Sequence, residues 1–458
     1  MIWRWHFYAG LFCIPFVIWL AVTGAIFLFK PQIDALIDWR FDSLPLADTP
    51  KSAAEQVRAA LAAVPGGTLR AYELPQTPHS AIRVLIGREA ELTRVYVEPT
   101  TLQILKIVNE DRRFTKLVSR LHGELMLGDA GSMVVELAAS WAIVMIVTGL
   151  YLWWPRQVIG LGGIVYPRLR RGSRTVWRDL HAVTGFWIST LVLFQLLSGL
   201  PWARSWGGYF KEIRQITGTA TARQDWTTGR SSEIASRLAM DMDDGTARLT
   251  ETGSHAGHGA GGIMTERSPP DYAALDKIVE TVTPLGLAFP VEISPPRKAG
   301  SHWTARSETQ NRPLRVELTL DADSGAVLTR TDFHNRAPID RAVAVGIAAH
   351  EGQLFGWLNQ LVSVFMVGGL LTLCASAIVL WWRRRPSGLL GAPEAPQGIY
   401  FPIGLILGIV ALGILLPLLG GSILAVVLTE RLVLGRIPHV REWLGLSNPI
   451  KGWQSDSR

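Results

Sequence analysis

Four of the ten histidines stand in a repeated register. The segment WRWHFYAG carries His6 and the segment WRDLHAVTG carries His181; superposing them sets Gly10 opposite Gly185 and Gly24 opposite Gly199 without a gap. LHGELMLG and AHEGQLFG form a second pair, in which aligning His122 with His350 sets Gly128 opposite Gly356 and Trp153-Trp154 opposite Trp381-Trp382. A neutral imidazole is a nitrogen ligand, and two of them on neighbouring helices can hold a haem iron by its two axial faces. An iron filled at both positions suits electron transfer rather than oxygen binding. At about 100° per residue, the glycines four and eighteen positions on lie on the histidine's own face. Gly10, Gly24, Gly185 and Gly199 therefore leave the room that a flat macrocycle needs between helices. Arg4, Arg120 and Arg178, each within three residues of a proposed ligand, can pair with propionates. Each feature has a plainer reading as well: histidines anchor at membrane interfaces, glycines pack membrane helices, and arginines set topology. The repeated register of all four histidines favours the ligand set.

The composition says what must position them. Of 458 residues, 48% are hydrophobic and only 18% charged, below the ~25% of soluble domains, and the mean hydropathy is +0.22. These values exclude an ordinary water-soluble enzyme. Cys13 and Cys374 are the only cysteines, both in apolar runs, so there is no disulfide framework. No CxxCH motif occurs, so any haem is bound non-covalently. The net charge of +7 comes from basic residues clustered beside apolar runs, which points to a lipid bilayer and away from nucleic acid. A helix needs about 20 apolar residues to cross ~30 Å of hydrocarbon. Five runs qualify: Phe7 to Phe29, Met133 to Trp154, Ala182 to Trp202, Leu361 to Trp382, and Tyr400 to about Leu428.

Lysines and arginines in short loops mark the cytoplasmic side. Arg156, Arg168, Arg170, Arg171, Arg174 and Arg178 lie between spans two and three against one acid, Asp179, and span four ends in Arg383, Arg384 and Arg385. The amino terminus is then cytoplasmic, and His6 and His181 lie toward the cytoplasm while His122 and His350 lie toward the outside. The expected fold is an α-helical integral membrane protein, with a four-helix core built from a duplicated span-module-span unit and a C-terminal hydrophobic segment. Residues 1–30, 122–155, 181–204 and 350–385 supply the four helices, and 156–180 the basic cytoplasmic loop. Residues 31–121 and 205–349 form two extracytoplasmic α+β modules, and 386–458 the last transmembrane segment and tail. Within 400–435, Pro417, Gly420 and Gly421 permit either one kinked span or a two-helix hairpin.

The two outer segments read alike. SAAEQVRAALAAV at 52–64 and DYAALDKIVETVT at 271–283 have helical spacing, and each precedes strand-like runs. Between them TGSHAGHGAGG, with His255 and His258, reads as a flexible insert. Glu136 and Gln195 are polar residues inside spans, a functional hint by default, although Glu136 is near enough to the outer interface to reach water. GLGG at 160–163 lacks the strand-turn-helix setting of a phosphate loop, so a nicotinamide or flavin donor would be separate.

At WRWHFYAGLFCIPFVIWLAVTGAIFLF, RLHGELMLGDAG, VTGLYLWWPR, WRDLHAVTGFW and IVLWWRRRP the chain resembles the PepSY-associated transmembrane family, which includes bacterial inner-membrane ferrisiderophore reductases. The resemblance covers about residues 3 to 430, and TRVYVEPTTLQILKI and LRVELTLDADSGAVLTRTDF look like its PepSY strand pairs. It implies a bacterial inner-membrane protein with periplasmic modules and two haem b groups, with ligand positions matching His6, His181, His122 and His350. It further implies electron transfer from a cytoplasmic or quinol donor to a ferric siderophore or other ferric chelate. One departure is Glu351, where the family tends to have a basic residue after the histidine. Two other readings compete: a membrane-anchored PepSY binding or regulatory protein without redox activity, and metal permeation. The second wants polar groups through the full membrane depth, and the span centres offer few.

Overall fold

The computed structural model describes residues 2–45, 49–89, 91–155, 160–219, 272–296, 301–392 and 403–446. The insert with His255 and His258 lies outside these. The chain forms two compact units, one of Met1–Ile26, His122–Ala220 and Gln360–Arg458, the other of Phe27–Leu121 and Thr221–Asn359.

In the first unit, five helices are long and apolar enough to cross a membrane: Ile2–Leu28, Gly128–Trp153, Ser173–Trp202, Trp357–Arg384 and Pro417–Arg436. At 1.5 Å per residue, helix α1 (Ile2–Leu28) extends for about 40 Å, more than a bilayer's hydrocarbon requires. It runs antiparallel to the long helix Gly128–Trp153: Cys13 Sγ lies 3.7 Å from the Ala138 carbonyl, and a Cβ on Gly10 would stand 3.6 Å from Met145. Ser173–Gly199 meets Trp357–Arg384 with the same spacing, Gly185 facing Leu373 as Gly10 faces Met145. Both indole pairs, Trp153-Trp154 and Trp381-Trp382, have rings 6.3 Å apart, at 80° and 82°. Each first indole ties down the loop that follows its helix, Trp153 donating to Ile164 O and Trp381 to Leu390 O.

The C-terminal segment is a hairpin. Ile403–Leu415 and Pro417–Leu432 are separate helices, because Leu416 leaves helical geometry at ψ 82 and Pro417 starts a new first turn. The two arms close to backbone contact, where a Cβ on Gly420 would lie 2.8 Å from the Gly413 carbonyl oxygen. Leu416 and Leu419 at the tip are buried with Ile143 and Leu200. At the other end Leu390 N donates to Trp443 O, and Arg4 donates to Gly445 O. Arg384 at that same end lies over Trp3 and Phe7. The chain therefore leaves and returns on the Arg4 side, which decides between the two arrangements that the proline and glycines permit.

In the second unit the two expected modules form one sheet. Its order is β4-β3-β2-β1-β5-β6-β7-β8, with β1 Thr68–Glu73, β2 Ile82–Arg88, β3 Glu91–Val97, β4 Ile104–Asn109, β5 Val291–Ser294, β6 Trp303–Ser307, β7 Glu317–Leu320 and β8 Val327–Thr331. Two antiparallel meanders meet at β1 and β5, Tyr72 opposite Ile293 and Glu73 opposite Glu292. Pairing covers two edges that would otherwise expose unpaired backbone. Helix Ala53–Ala62 starts in a capping box, Ser52 accepting from Glu55 N while Glu55 accepts from Ser52 N. Asp276 of helix Ala273–Val282 also accepts from Ala54 N, joining the helices across the modules. Alternation along the strands turns Val84, Ile86, Val95, Val97, Ile293 and Leu318 to these helices as the core.

The opposite face is ionic. Arg94 pairs with Glu73 and Glu110, Arg83 with Asp42 and Asp38, and Arg113 with Asp34 and Glu110. Burial, together with Glu308 and Glu73, pushes the Glu292 carboxyl up to about 7. A folded-state value above the unfolded one means that the folded chain holds the proton more tightly, so this group's contribution falls as pH rises from about 4.5 to 7. Replacing Glu292 with Gln should stabilise the sheet at pH 8 by on the order of 1 kcal/mol and leave it unchanged at pH 4. Hydrogen exchange of the β5 and β6 amides at the two pH values checks this.

Candidate functional site

All four register histidines are half-buried. His6 and His181 lie near the starts of their long helices, as the sequence predicts. His122 and His350 do not begin spans: each sits in the last turn of a separate preceding helix, Phe114–Glu124 and Pro338–His350. The break after His122 is a turn with Leu125 at φ 49, Met126 at φ 58 and Gly128 at φ 59; the one after His350 has Gly352 at φ 72 and Gly356 at φ 58. These left-handed backbones cannot continue a helix. Gly131 seals the first turn, since a Cβ there would fall within the Glu124 carbonyl.

The His6 and His181 rings are brought together, with centroids 6.4 Å apart and planes at 82°. Two metal–nitrogen bonds of about 2 Å, each followed by about 1.1 Å from nitrogen to ring centre, would give roughly 6.2 Å when one metal ion sits between two imidazoles. The separation therefore fits a shared iron. His6 Nδ1 lies 3.0 Å from Thr148 Oγ1, and His181 Nδ1 lies 3.2 Å from Ser376 Oγ and 3.3 Å from Leu373 O. His122 Nδ1 lies 3.0 Å from Thr23 Oγ1. With Nδ1 engaged on each of these three rings, Nε2 is the nitrogen that could ligate a metal.

Gly10 and Gly185 lie one turn from these rings, with Met145 and Leu373 respectively within contact range of an added Cβ among the described residues. Both stand at helix–helix contacts, where an added Cβ would meet the neighbouring helix at ordinary van der Waals distance. Gly24 has another neighbour: its Cβ would lie 3.1 Å from His122 Cε1, so the missing side chain makes room for that imidazole. Gly149 does the same for His6, also at 3.1 Å. Gly199 ends its helix. Thr23, Thr148, Gly149 and Ser376 were beyond the reasoning from histidine spacing alone. Val-Thr-Gly occurs at 22–24, 147–149 and 183–185, and only the first two copies stand against a histidine ring, so the motif by itself does not single them out.

The arginines divide. Arg4 donates to Gly445 O and Tyr8 Oη, clamping the C-terminal helix. Arg178 pairs with Asp179, which Arg168 also grips at 2.7 and 3.0 Å. Arg120, two residues before His122, has a buried Nε with no hydrogen-bond partner among the described residues, as an absent anion would leave it. The orphaned donor fits a propionate.

Glu136 is buried, and its two oxygens accept from the backbone N–H groups of Ser205 and Trp206. It thereby caps the first turn of helix Arg204–Ile216. Glu136→Ala should cost about 1–2 kcal/mol and leave the visible spectrum of the purified protein unchanged. A thermal melt with absorption spectra checks both, and a changed spectrum would give Glu136 a part in the site instead. Cys13 and Cys374 are free and buried.

No curated protein matches the chain. The family model described as the PepSY-associated TM region matches residues 3–384. With its apolar spanning helices and that match over most of its length, the chain is a multi-pass membrane protein belonging to the PepSY-associated transmembrane family.

Proposed function

We propose that the protein is a di-haem oxidoreductase of the bacterial inner membrane that carries electrons outward to a ferric siderophore or other ferric chelate. The observation that carries this reading is the His6–His181 pair, two imidazoles at iron-bridging separation, each tied at Nδ1 to a hydroxyl of a neighbouring helix. A bound haem b would supply one-electron chemistry. For the second group, His122 and His350 are assigned by the duplicated register of the four-helix core. Arg120 is the propionate partner supported by its orphaned Nε. Arg4 and Arg178 already have protein partners, so pairing with propionate would add to or displace those bonds.

Lys/Arg placement supports the sidedness. Arg168, Arg178, Arg383 and Arg384 mark the cytoplasmic end, so the amino terminus is cytoplasmic and the sheet unit periplasmic. The chain's part is to hold two ligand nitrogens, exclude water with apolar helices, and span the membrane. Reduction releases iron because Fe(II), with its lower charge, binds hard oxygen chelators far less tightly. The test is anaerobic: the purified protein is reduced, then mixed with candidate ferric siderophores. Rapid return of the oxidised spectrum with formation of Fe(II) supports the proposal; no re-oxidation by any ferric chelate contradicts it.

A second reading is a membrane-anchored PepSY binding or regulatory protein without redox activity. A cavity of about 220 Å³ in the sheet unit, lined by Tyr72, Leu74, Phe289 and Val291 among others, favours it. That reading predicts a colourless protein.

A further inference from the structure

Three of the four histidines meet a hydroxyl at Nδ1, and in each case the hydroxyl has already committed its proton. Thr148 Oγ1 donates to Val144 O at 2.7 Å, and Thr23 Oγ1 donates to Trp19 O at 2.8 Å. Ser376 Oγ donates to Leu373 O at 3.0 Å. A hydroxyl has one proton and two lone pairs, so toward the ring these oxygens can only accept. The imidazole must then carry its proton on Nδ1 and its lone pair on Nε2. At His181 the Leu373 carbonyl, which can never donate, imposes the same tautomer.

The arrangement is reciprocal. Thr23 on α1 holds His122, which precedes the next long helix, while Thr148 on that helix holds His6 on α1. It also follows the duplication. Thr23 and Ser198 stand seventeen residues after His6 and His181, and Thr148 and Ser376 stand twenty-six residues after His122 and His350. Back-bonding of Ser and Thr to a carbonyl one turn earlier is common in membrane helices and explains the donated protons. It does not explain why the remaining lone pair meets an imidazole three times. Nor does it explain the absent side chains at Gly24 and Gly149, whose Cβ atoms would press on the same rings at 3.1 Å.

We infer that Thr23, Thr148 and Ser376 are positioning residues that fix the ligating tautomer of their histidines and strengthen Nε2 as an electron donor to iron. The inference rests on the haem reading and deepens it. A hydrogen bond accepted from Nδ1–H moves charge toward Nε2, and the more basic ligand favours Fe(III) over Fe(II). The hydroxyls would therefore hold the haem potential low, as a donor to ferric chelates requires. Ser198 holds the fourth place in the register.

The test uses the full-length protein in detergent, with Thr148→Val, which keeps the shape and removes the lone pair, and Thr148→Ser as the conservative rescue. Haem titration and redox potentiometry are the readouts. Thr148→Val should weaken binding of one of the two haems by about 10–100-fold and raise its midpoint; a tenfold preferential loss of ferric binding is about 59 mV for one electron. Thr148→Ser should restore both. If Thr148→Val does not accumulate as folded protein, Ser376→Ala carries the same expectations at His181. Wild-type protein with two haems, together with variants whose affinity and midpoint match it, overturns the hydroxyl role and leaves the proposed function standing. Wild-type protein without haem overturns both.

Discussion

Replacing His6 with alanine should lower the haem content from two to one per chain, with the lost haem accounting for half of the visible absorption. The His6 and His181 rings stand 6.4 Å apart, and His6 is the one histidine of α1, so the helix offers no second imidazole to replace it. Under the proposed function, His181 would be left to hold that haem alone. His181→Ala should give the same result, and His122→Ala should remove the other haem. A pyridine haemochrome assay on each variant reads the number directly. Retention of two full haems by both His6→Ala and His122→Ala would contradict the assignment of these residues as ligands.

The second large effect lies in the sheet unit. Arg94→Ala should destabilise it by about 3–5 kcal/mol, because removing one partner of a buried ion pair strands the other charge. Arg94 is 7% exposed, and its guanidinium meets Glu110 at 2.7 Å on one side and Glu73 on the other. Burial alone would raise the Glu110 carboxyl, but Arg94 and Arg113 outweigh it and hold it down at about 2. A depressed carboxylate contributes stability that is present above about pH 4.5 and lost as pH falls toward 2. Acid should therefore weaken wild-type protein more than Arg94→Ala. Hydrogen exchange of the β3 and β4 amides in the full-length protein measures the opening energy in both. A loss below about 1 kcal/mol would place the pair with solvated surface bridges.

The spanning helices were legible because apolar composition over twenty residues has few other solutions. The predicted Phe7 to Phe29 run and the observed Ile2–Leu28 helix differ mainly at the start, where aromatic residues extend the helix beyond the apolar window. The strands were legible from alternation: AIRVLIG and TRVYVEP correspond to β2 and β3. The pairing of β1 with β5 was not, because Tyr72 and Ile293 are more than two hundred residues apart and no local pattern encodes their contact. The turn after His122 was also hidden, since Leu125 and Met126 adopt positive φ without being glycine, whereas the one after His350 has its positive φ at Gly352 and Gly356. The C-terminal hairpin needed the contacts of Tyr8 and Arg4 with Leu444 and Gly445, which no span count provides.

At the site, histidine spacing pointed to His6 and His181, and the structure brings them together. The same spacing gave Gly24 to the macrocycle, whereas its neighbour is the His122 ring. Face arithmetic on one helix cannot tell which partner fills a gap. The hydroxyls escaped for a related reason: Thr and Ser are ordinary residues in membrane helices, and only the distance to Nδ1 distinguishes these three.

The most direct measurement is the haem count of the full-length protein, purified after expression with ample haem supply, with spectra of the oxidised and reduced forms. Two b-type haems per chain are expected, both low-spin with sharp reduced α and β bands. A colourless protein, or one whose haem is removed by mild washing without any change in the His6→Ala variant, would contradict this expectation.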